Sequence, residues 1–291
     1  MKIVIFGKKF ERDQAPYLQQ LFDELYRRGA LVYVYKTYFE LIRDYVQFDT
    51  PPGLFERSID IPKLDFLFSI GGDGTLLDAI PYVHDIGVPV LGINLGRLGF
   101  LSSVSKNEMQ KAIAQIYEGN YQLVQRALLC LEQPADIFGS LNFALNDLTL
   151  YRNTNASLVA VKVFINGVFL NTYWGDGLII ATPTGSTAYS MSVGGPILTP
   201  GSENFVIAPI ASHNLTVRPI VIQDNSEIRL KIEGREDEYL LTMDSRQSLI
   251  SKKQELIIKK CDFKINLVQM PDQNFFSTIR EKLLWGVDKR N

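Results

Sequence analysis

The chain of 291 residues is poor in the side chains that build common metal and redox sites, with two cysteines and two histidines. His84 and His213 cannot by themselves form a histidine-based metal site. Cys130 and Cys261 do not have the spacing of metal ligands. Because free cysteine is usually buried, we expect both cysteines to be reduced core residues in a cytoplasm.

The sequence also lacks long hydrophobic runs and a surplus of positive charge. No apolar run approaches the roughly 20 residues that span a bilayer, so we expect no membrane partner. Residues 1–8 begin a strand and lack the apolar region and cleavage site of a signal peptide, which favours a cytoplasmic protein. The formal net charge of −2 argues against nucleic acid as a partner, since proteins that bind its phosphate backbone usually carry a basic surplus.

Strand and helix patterns alternate over the first part of the chain. Apolar strand-like runs, such as 3–6 and 64–70, are separated by segments of helical spacing, such as 14–28. This alternation predicts a parallel sheet flanked by helices, and therefore an α/β domain over residues 1–120.

After residue 121 the pattern changes to closely spaced strands, among them 143–150 and 157–165, with turn signals such as Asn166-Gly167 between strands. It predicts a β-rich domain over residues 121–271. The last segment, 275–285, is helical again and needs a surface on which to bury its apolar face. We therefore expect residues 272–291 to return to the first domain.

The most informative segment is 70–77, with the sequence Ile-Gly-Gly-Asp-Gly-Thr-Leu-Leu. Three glycines surround one acid, Asp73, between a buried strand and a helix. Such a turn exposes backbone N–H groups that bind phosphate, and the candidate phosphate turn comprises Gly71, Gly72 and Thr75. Asp73 is a weak base, but it can orient an alcohol and accept its proton late in a phosphoryl transfer. The alternative is a turn without a ligand, in which Asp73 or Thr75 caps the helix.

A second informative segment is 176–196. A buried strand leads into a loop rich in hydroxyl groups and glycines, which offers many neutral donors and acceptors with little bulk. This composition favours binding of sugar hydroxyls and phosphates; the alternative is a Ser/Thr-rich surface turn.

A third signal is the pair Asn146-Asp147 within an otherwise apolar strand. An amide and an acid are costly to bury unpaired, and an Asn side chain can read the edge of an adenine. The pair therefore indicates either nucleoside binding or a turn between two short strands.

Together these motifs resemble those of the NAD kinases, which transfer a phosphoryl group from ATP to the adenosine 2′-hydroxyl of NAD. The resemblance covers nearly the whole chain, from the glycine–acid turn through Asn146-Asp147 and 176–196 to Arg218-Pro219. The Gly-Gly-Asp-Gly turn is shared with diacylglycerol and sphingosine kinases, whereas the segment 176–196 is specific to NAD kinases.

The resemblance implies that Asp73 activates the 2′-hydroxyl and that Gly74 lies against the dinucleotide. Asn146 and Asp147 would hold the adenine-side nucleoside, and Asp176 would lie near the nicotinamide end. The NAD pocket would be lined by Thr187, Ala188, Tyr189, Ser190, Met191, Ser192 and Ala211. The implied fold is an α/β N-terminal domain and a β-rich C-terminal domain with the cleft between them.

NAD and ATP are the implied substrates, with a divalent cation, normally Mg²⁺, carried by ATP rather than by protein ligands. A homodimer or homotetramer is implied as well. Asp78 and Ser157 stand where relatives carry basic residues. These two departures leave open the preference between NAD and NADH and the feedback by NADPH. Asp147 replaces the commoner Glu. Polyphosphate remains an alternative donor. A lipid or sugar kinase and a non-catalytic dinucleotide sensor remain alternative functions.

Overall fold

The computed structural model describes residues 1–58, 63–96, 99–154 and 157–285. The chain divides into two compact units: unit 1 comprises Met1–Gln125 and Ile265–Asn291, and unit 2 comprises Arg126–Lys264. Within the described ranges, no helix is both long and apolar enough to cross a membrane.

The strands of the described residues are, in chain order, β1 (Lys2–Gly7), β2 (Leu31–Tyr35), β3 (Gly53–Phe55), β4 (Phe66–Ile70), β5 (Val90–Asn94), β6 (Val104–Ser105), β7 (Gln122–Gln133), β8 (Phe143–Ala144), β9 (Asp147–Arg152), β10 (Val159–Ile165), β11 (Val168–Gly175), β12 (Gly177–Ala181), β13 (Asn204–Ile210), β14 (Ile220–Gln223), β15 (Ile228–Glu233), β16 (Glu238–Met243), β17 (Arg246–Ser251) and β18 (Leu256–Gln269). The α-helices are α1 (Ala15–Arg27), α2 (Lys36–Ile42), α3 (Asp73–Val83), α4 (Met109–Glu118), α5 (Tyr189–Ser192) and α6 (Phe275–Leu283).

Unit 1 is an α/β domain built on a parallel sheet, as the sequence predicts. The strand order is β3-β2-β1-β4-β5, and β5 also pairs with β6 and with the end of β18. The buried residues of α1 recur every three or four positions, so the helix packs one face on the core; they are Leu18, Leu21, Phe22 and Leu25. The strand order reverses between β1 and β4, and ligands of such sheets bind at the carboxyl ends of the strands at that point.

Unit 2 is the β-rich domain that the sequence predicts. In one sheet the order is β11-β10-β15-β18, and β7 pairs with β18 and β8; the second sheet has the order β14-β13-β12-β9-β16-β17. Apolar side chains from both sheets form one buried cluster, for example Val161 and Leu230 from the first and Leu148, Leu178 and Phe205 from the second. The core of unit 2 therefore lies between the two sheets.

The two cysteines correct a prediction. Cys130 on β7 and Cys261 on β18 form a disulfide, with their Cα atoms 5.1 Å apart, so the expectation of reduced cysteines is wrong for this structure. The pair is separated by 131 positions in the sequence, and only the pairing of β7 with β18 brings the cysteines together. The inference of a cytoplasmic location from reduced cysteines loses its basis.

Candidate functional site

In unit 1, the glycine turn follows β4, whose five residues are all buried. Gly72 is the N-cap of α3 and Asp73 is its first residue, so the first N–H groups of the helix are directed at the turn. Gly71 has φ +145°, and a Cβ there would lie 2.4 Å from Oγ1 of Thr75. Gly74 is exposed, with no atom within 4 Å of a Cβ built on it. The turn is thus compact on its inner side and open beside Gly74.

The carboxylate of Asp73 accepts three backbone hydrogen bonds from the loop after β5. Oδ2 accepts from the N–H of Phe100 at 2.8 Å, and Oδ1 accepts from Leu101 and Ser102 at 3.0 and 2.9 Å. Gly99 makes this approach possible, since a Cβ on it would lie 1.8 Å from Oδ1 of Asp73. These bonds exclude the alternative that Asp73 serves as the side-chain cap of its own helix. They fix the orientation of the carboxylate before any substrate binds.

Asp78, where the resemblance implies a basic residue, lies about one and a half turns after Asp73 along α3. Its Oδ2 is 2.7 Å from Nζ of Lys8, which follows β1. Position 78 therefore has a positive charge beside it, that of Lys8, although its own residue is an acid.

In unit 2, the structure brings together Asn146 and the loop that follows β12. Ala181 is the strand partner of Asp147, and the N–H of Thr182 donates to the carbonyl of Asn146 at 2.9 Å. A Cβ on Gly185 would lie 2.0 Å from that same carbonyl oxygen. Two segments that are far apart in the sequence thus form one compact surface, and Gly185 is required for their contact.

Asp244 organises the Asn146-Asp147 segment from the turn between β16 and β17. Its carboxylate accepts the N–H of Leu145 and of Asn146, both at 2.8 Å. Burial raises the pKa of Asp244. Burial, assisted by the Asp244 carboxylate, also raises the pKa of Asp147 to about 7, against the opposing hydrogen bond from Thr149. Two buried acids that are 97 positions apart in the sequence thus act on each other electrostatically.

The remaining residues of the predicted NAD pocket differ in exposure. Thr187 ends a short 3₁₀ turn, and its hydroxyl donates to the carbonyl of Thr184 at 3.1 Å. Ser190 is fully buried, and a Cβ on Gly195 would lie 2.3 Å from its Oγ, so Ser190 supports the loop from beneath. Residues with accessible surface are Thr187, Ala188, Tyr189, Met191 and Ser192.

Asp176 and Ala211 lie together at the ends of β11 and β13. The N–H of Asp176 donates to the carbonyl of Ile210 at 2.9 Å, and Oδ1 of Asp176 is 3.0 Å from Nε of Arg152. Burial raises the pKa of Tyr189, with further contributions from Tyr151, Asp176 and Asp147. The carboxylates of Asp176 and Asp147 thus both act electrostatically on the phenol of Tyr189.

The sequence does not reveal which groups bind the Asp73 carboxylate, nor that Asp244 lies beside Asp147. The contact between Asp73 and the loop 99–102 could be predicted in principle, because β4 and β5 are adjacent parallel strands and the segments that follow them meet at one edge of the sheet. Asp244 gave only a weak signal, since an Asp in a tight turn between two strands usually serves the turn itself.

The chain matches two family models over most of its length. Residues 54–121 match the ATP-NAD kinase N-terminal domain and residues 145–270 the ATP-NAD kinase C-terminal domain. A NAD kinase of Flavobacterium psychrophilum is 43% identical over 294 residues, and one of Bacteroides fragilis is 39% identical over 292 residues. Both alignments cover 100% of each chain.

Solved structures agree with these matches. A yeast NADH kinase complexed with NADH has a TM-score of 0.86 at 28% identity, covering 99% of the present chain and 89% of its own. A NAD kinase from Archaeoglobus fulgidus in complex with ATP has a TM-score of 0.76, covering 98% of the present chain and 99% of its own. At 22% identity, this second likeness is one of fold.

Proposed function

The chain belongs to the NAD kinase family and phosphorylates NAD with ATP, and we propose that Asp73 orients and activates the 2′-hydroxyl of the adenosine ribose. The observation that carries this role is the carboxylate held by three N–H groups at the start of α3. A carboxylate has about four acceptor positions. Three are occupied by the backbone, which leaves one for the substrate hydroxyl.

This arrangement fits the needs of phosphoryl transfer, which requires alignment and charge neutralisation more than covalent chemistry. The glycine turn offers N–H groups and the N-terminus of α3 to phosphate oxygens. Asp73 accepts the hydroxyl proton as the oxygen bonds to phosphorus.

Within unit 2, we assign recognition of the adenine-side nucleoside to Asn146 and Asp147. Asp244 fixes the main chain of this segment and Gly185 brings the 182–192 loop against it. Asp147 would accept a hydrogen bond from a ribose hydroxyl. The other residues of unit 2 that would contact the dinucleotide are Thr187, Ala188, Tyr189, Met191 and Ser192. Asp176 and Ala211 would lie toward its nicotinamide end, and Ser190 would support the loop. In unit 1, Gly74 would lie against the dinucleotide.

We further propose that the divalent cation arrives with ATP. Among the described residues, no three His, Cys, Asp or Glu side chains are grouped as metal ligands. Mg²⁺ usually keeps several waters and is held largely by substrate phosphates, so it does not need a dedicated set of protein ligands. The bound cation would neutralise charge on the transferred phosphoryl group.

Self-association is the last part of the proposal. β11 stands at the end of its strand order and carries exposed Val168, Phe169 and Trp174, which favours burial against a second copy of the chain. We expect a homodimer or homotetramer in sedimentation experiments, and a monomer at micromolar concentration would contradict this.

The cytoplasmic location is tested by cell fractionation.

The decisive experiment is a kinase assay with Mg²⁺ that pairs NAD or NADH with ATP or polyphosphate and follows formation of the 2′-phosphorylated product. We expect ATP and NAD to give NADP, and Asp73→Asn to lose turnover by a factor of at least about 100. Asp78→Asn, in the same helix, is the matched control and should retain turnover. Unchanged kcat in Asp73→Asn would remove Asp73 from the mechanism without affecting the family assignment.

A further inference from the structure

The disulfide closes unit 2 into a covalent ring. Unit 2 comprises Arg126–Lys264, and the bonded cysteines, Cys130 and Cys261, lie close to its first and last residues. The segment that they enclose includes every residue of unit 2 that we assign to the nucleotide. A cross-link over so long a segment strongly restricts the unfolded chain and so stabilises the folded unit.

The two sulfurs differ in access. Cys130 retains part of its surface exposed, whereas Cys261 is 6% exposed. Because thiol–disulfide exchange requires a thiolate to reach one sulfur, the half-buried Cys130 is the more accessible of the two residues for attack. A small thiol reagent would therefore approach from the side of Cys130.

β7 connects the disulfide to the nucleoside-binding segment through β8. Cys130 is the strand partner of Phe143, and the N–H of Leu131 donates to the carbonyl of Asn142 at 2.9 Å. The ring of Phe143 contacts that of Phe263 on β18 at 5.3 Å. The strand that leads into Asn146 is thus supported by the two strands that the disulfide joins.

Arg246 links β8 to the Asp244 carboxylate. Its guanidinium lies 5.1 Å above the ring of Phe143 and donates to the carbonyls of Leu141 and Phe143. It is also 3.7 Å from Oδ2 of Asp244, the carboxylate that holds the main chain at Asn146. A shift of β8 would therefore move Arg246 and, through it, Asp244, and so disturb the main chain of the Asn146-Asp147 segment.

We propose that Cys130–Cys261 is a reversible thiol–disulfide exchange site that takes a dithiol as reactant and regulates nucleotide binding by unit 2. One thiolate of the dithiol attacks Sγ of Cys130, and Cys261 leaves as a thiolate that takes up a proton. The second thiol then attacks the mixed disulfide and releases Cys130 as a thiol. The dithiol is oxidised to a disulfide by two electrons, and the protein gains two thiols; a disulfide oxidant reverses the reaction.

The test compares the full-length protein after treatment with dithiothreitol or with its oxidised form. Alkylation and mass spectrometry should count two free thiols in the reduced protein and none in the oxidised protein. The oxidised protein should unfold about 10 °C higher in calorimetry. Its KM for NAD should be several-fold lower, whereas kcat should change little, because Asp73 lies outside the ring.

The matched control is the double variant Cys130→Ser, Cys261→Ser. It should behave like the reduced wild type in both treatments, in its unfolding temperature and in its KM for NAD. Two free thiols after oxidation would refute the exchange site, and equal KM values in the two redox states would refute its link to nucleotide binding. Neither outcome bears on the kinase reaction itself, which both redox states should catalyse.

Discussion

Asp147 is a carboxylate whose surroundings oppose its ionisation. Burial, with the nearby Asp244 carboxylate, raises its pKa to about 7. Since this exceeds the pKa of an unfolded Asp, the native chain holds more protons between about pH 4 and 7, and the free energy of unfolding falls as pH rises through that window. Asp147→Asn should remove the contribution of Asp147 to this slope and stabilise the protein at pH 8 by about 4 kcal/mol, since a pKa difference of roughly 3 units corresponds to that free energy. Denaturant unfolding at pH 5 and pH 8 measures this difference, and an unchanged slope would contradict it.

Gly99 is the residue that allows the Asp73 carboxylate to approach the loop after β5. A Cβ there would meet Oδ1 at 1.8 Å, so Gly99→Ala must displace either the loop or the carboxylate. We expect a kcat loss of about 100-fold, on the scale of displacing one catalytic group by roughly 1 Å. Gly96→Ala is the control in the same loop, since its nearest contact would be 3.6 Å away. Equal kcat values for the two variants would show that the position of the carboxylate is not critical.

For single residues, the sequence predicts which side chains carry the chemistry, but not which groups hold those side chains in position. Asp73 stands out because an acid among glycines after a buried strand has few structural uses. Its hydrogen-bond partners Phe100, Leu101 and Ser102 bond through the backbone, so their side chains give no signal. The pairing of Asp147 with Asp244 was hidden because 97 positions separate the two acids.

Among the elements, the hairpin of β10 and β11 depends on its turn. Asn166 and Gly167 have φ of +49° and +80°, the conformation of a two-residue hairpin turn that matches the twist of the strands. Gly167→Ala has free space around its Cβ but is strained at this φ, so we expect a loss of about 1 kcal/mol in the free energy of unfolding. Lys253→Ala, at an exposed side chain in another turn of unit 2, is the control and should change stability by less than about 0.5 kcal/mol. Equal stability of both variants would contradict this role of the turn.

The same hairpin shows where element prediction succeeded and where it failed. Asn166-Gly167 was identified as a turn and 157–165 as a strand, yet the returning strand β11 was missed. Its residues Asn171 and Thr172 interrupt the apolar pattern, and Val168, Phe169 and Trp174 are exposed. The strand predicted over 143–150 is broken by two residues before Asp147, because the backbone there bonds to the Asp244 side chain rather than to a neighbouring strand.

For the whole molecule, the alternation of strands and helices predicts the fold class, but strand order is a property of long-range pairing. β1 lies between β2 and β4, and this order places the glycine turn at the point of reversal. The pairing of β7 with β18 joins Cys130 to Cys261 across most of unit 2. Neither pairing follows from local periodicity, since each depends on side chains that meet only in the folded chain.

The chain completes unit 1 only after it has passed through unit 2, and α6 is the last element added. At nine residues, α6 is too short to be stable alone, so its buried residue, Ile279, must anchor it. Ile279→Ala should cost about 2 to 4 kcal/mol, and hydrogen exchange should accelerate in α6 while unit 2 keeps its protection. Phe276→Ala, at a side chain that is 61% exposed, should leave exchange unchanged in both units. Faster exchange throughout unit 2 in Ile279→Ala would show that the two units unfold as one, because the loss of an anchor in unit 1 would then be shared by the whole chain.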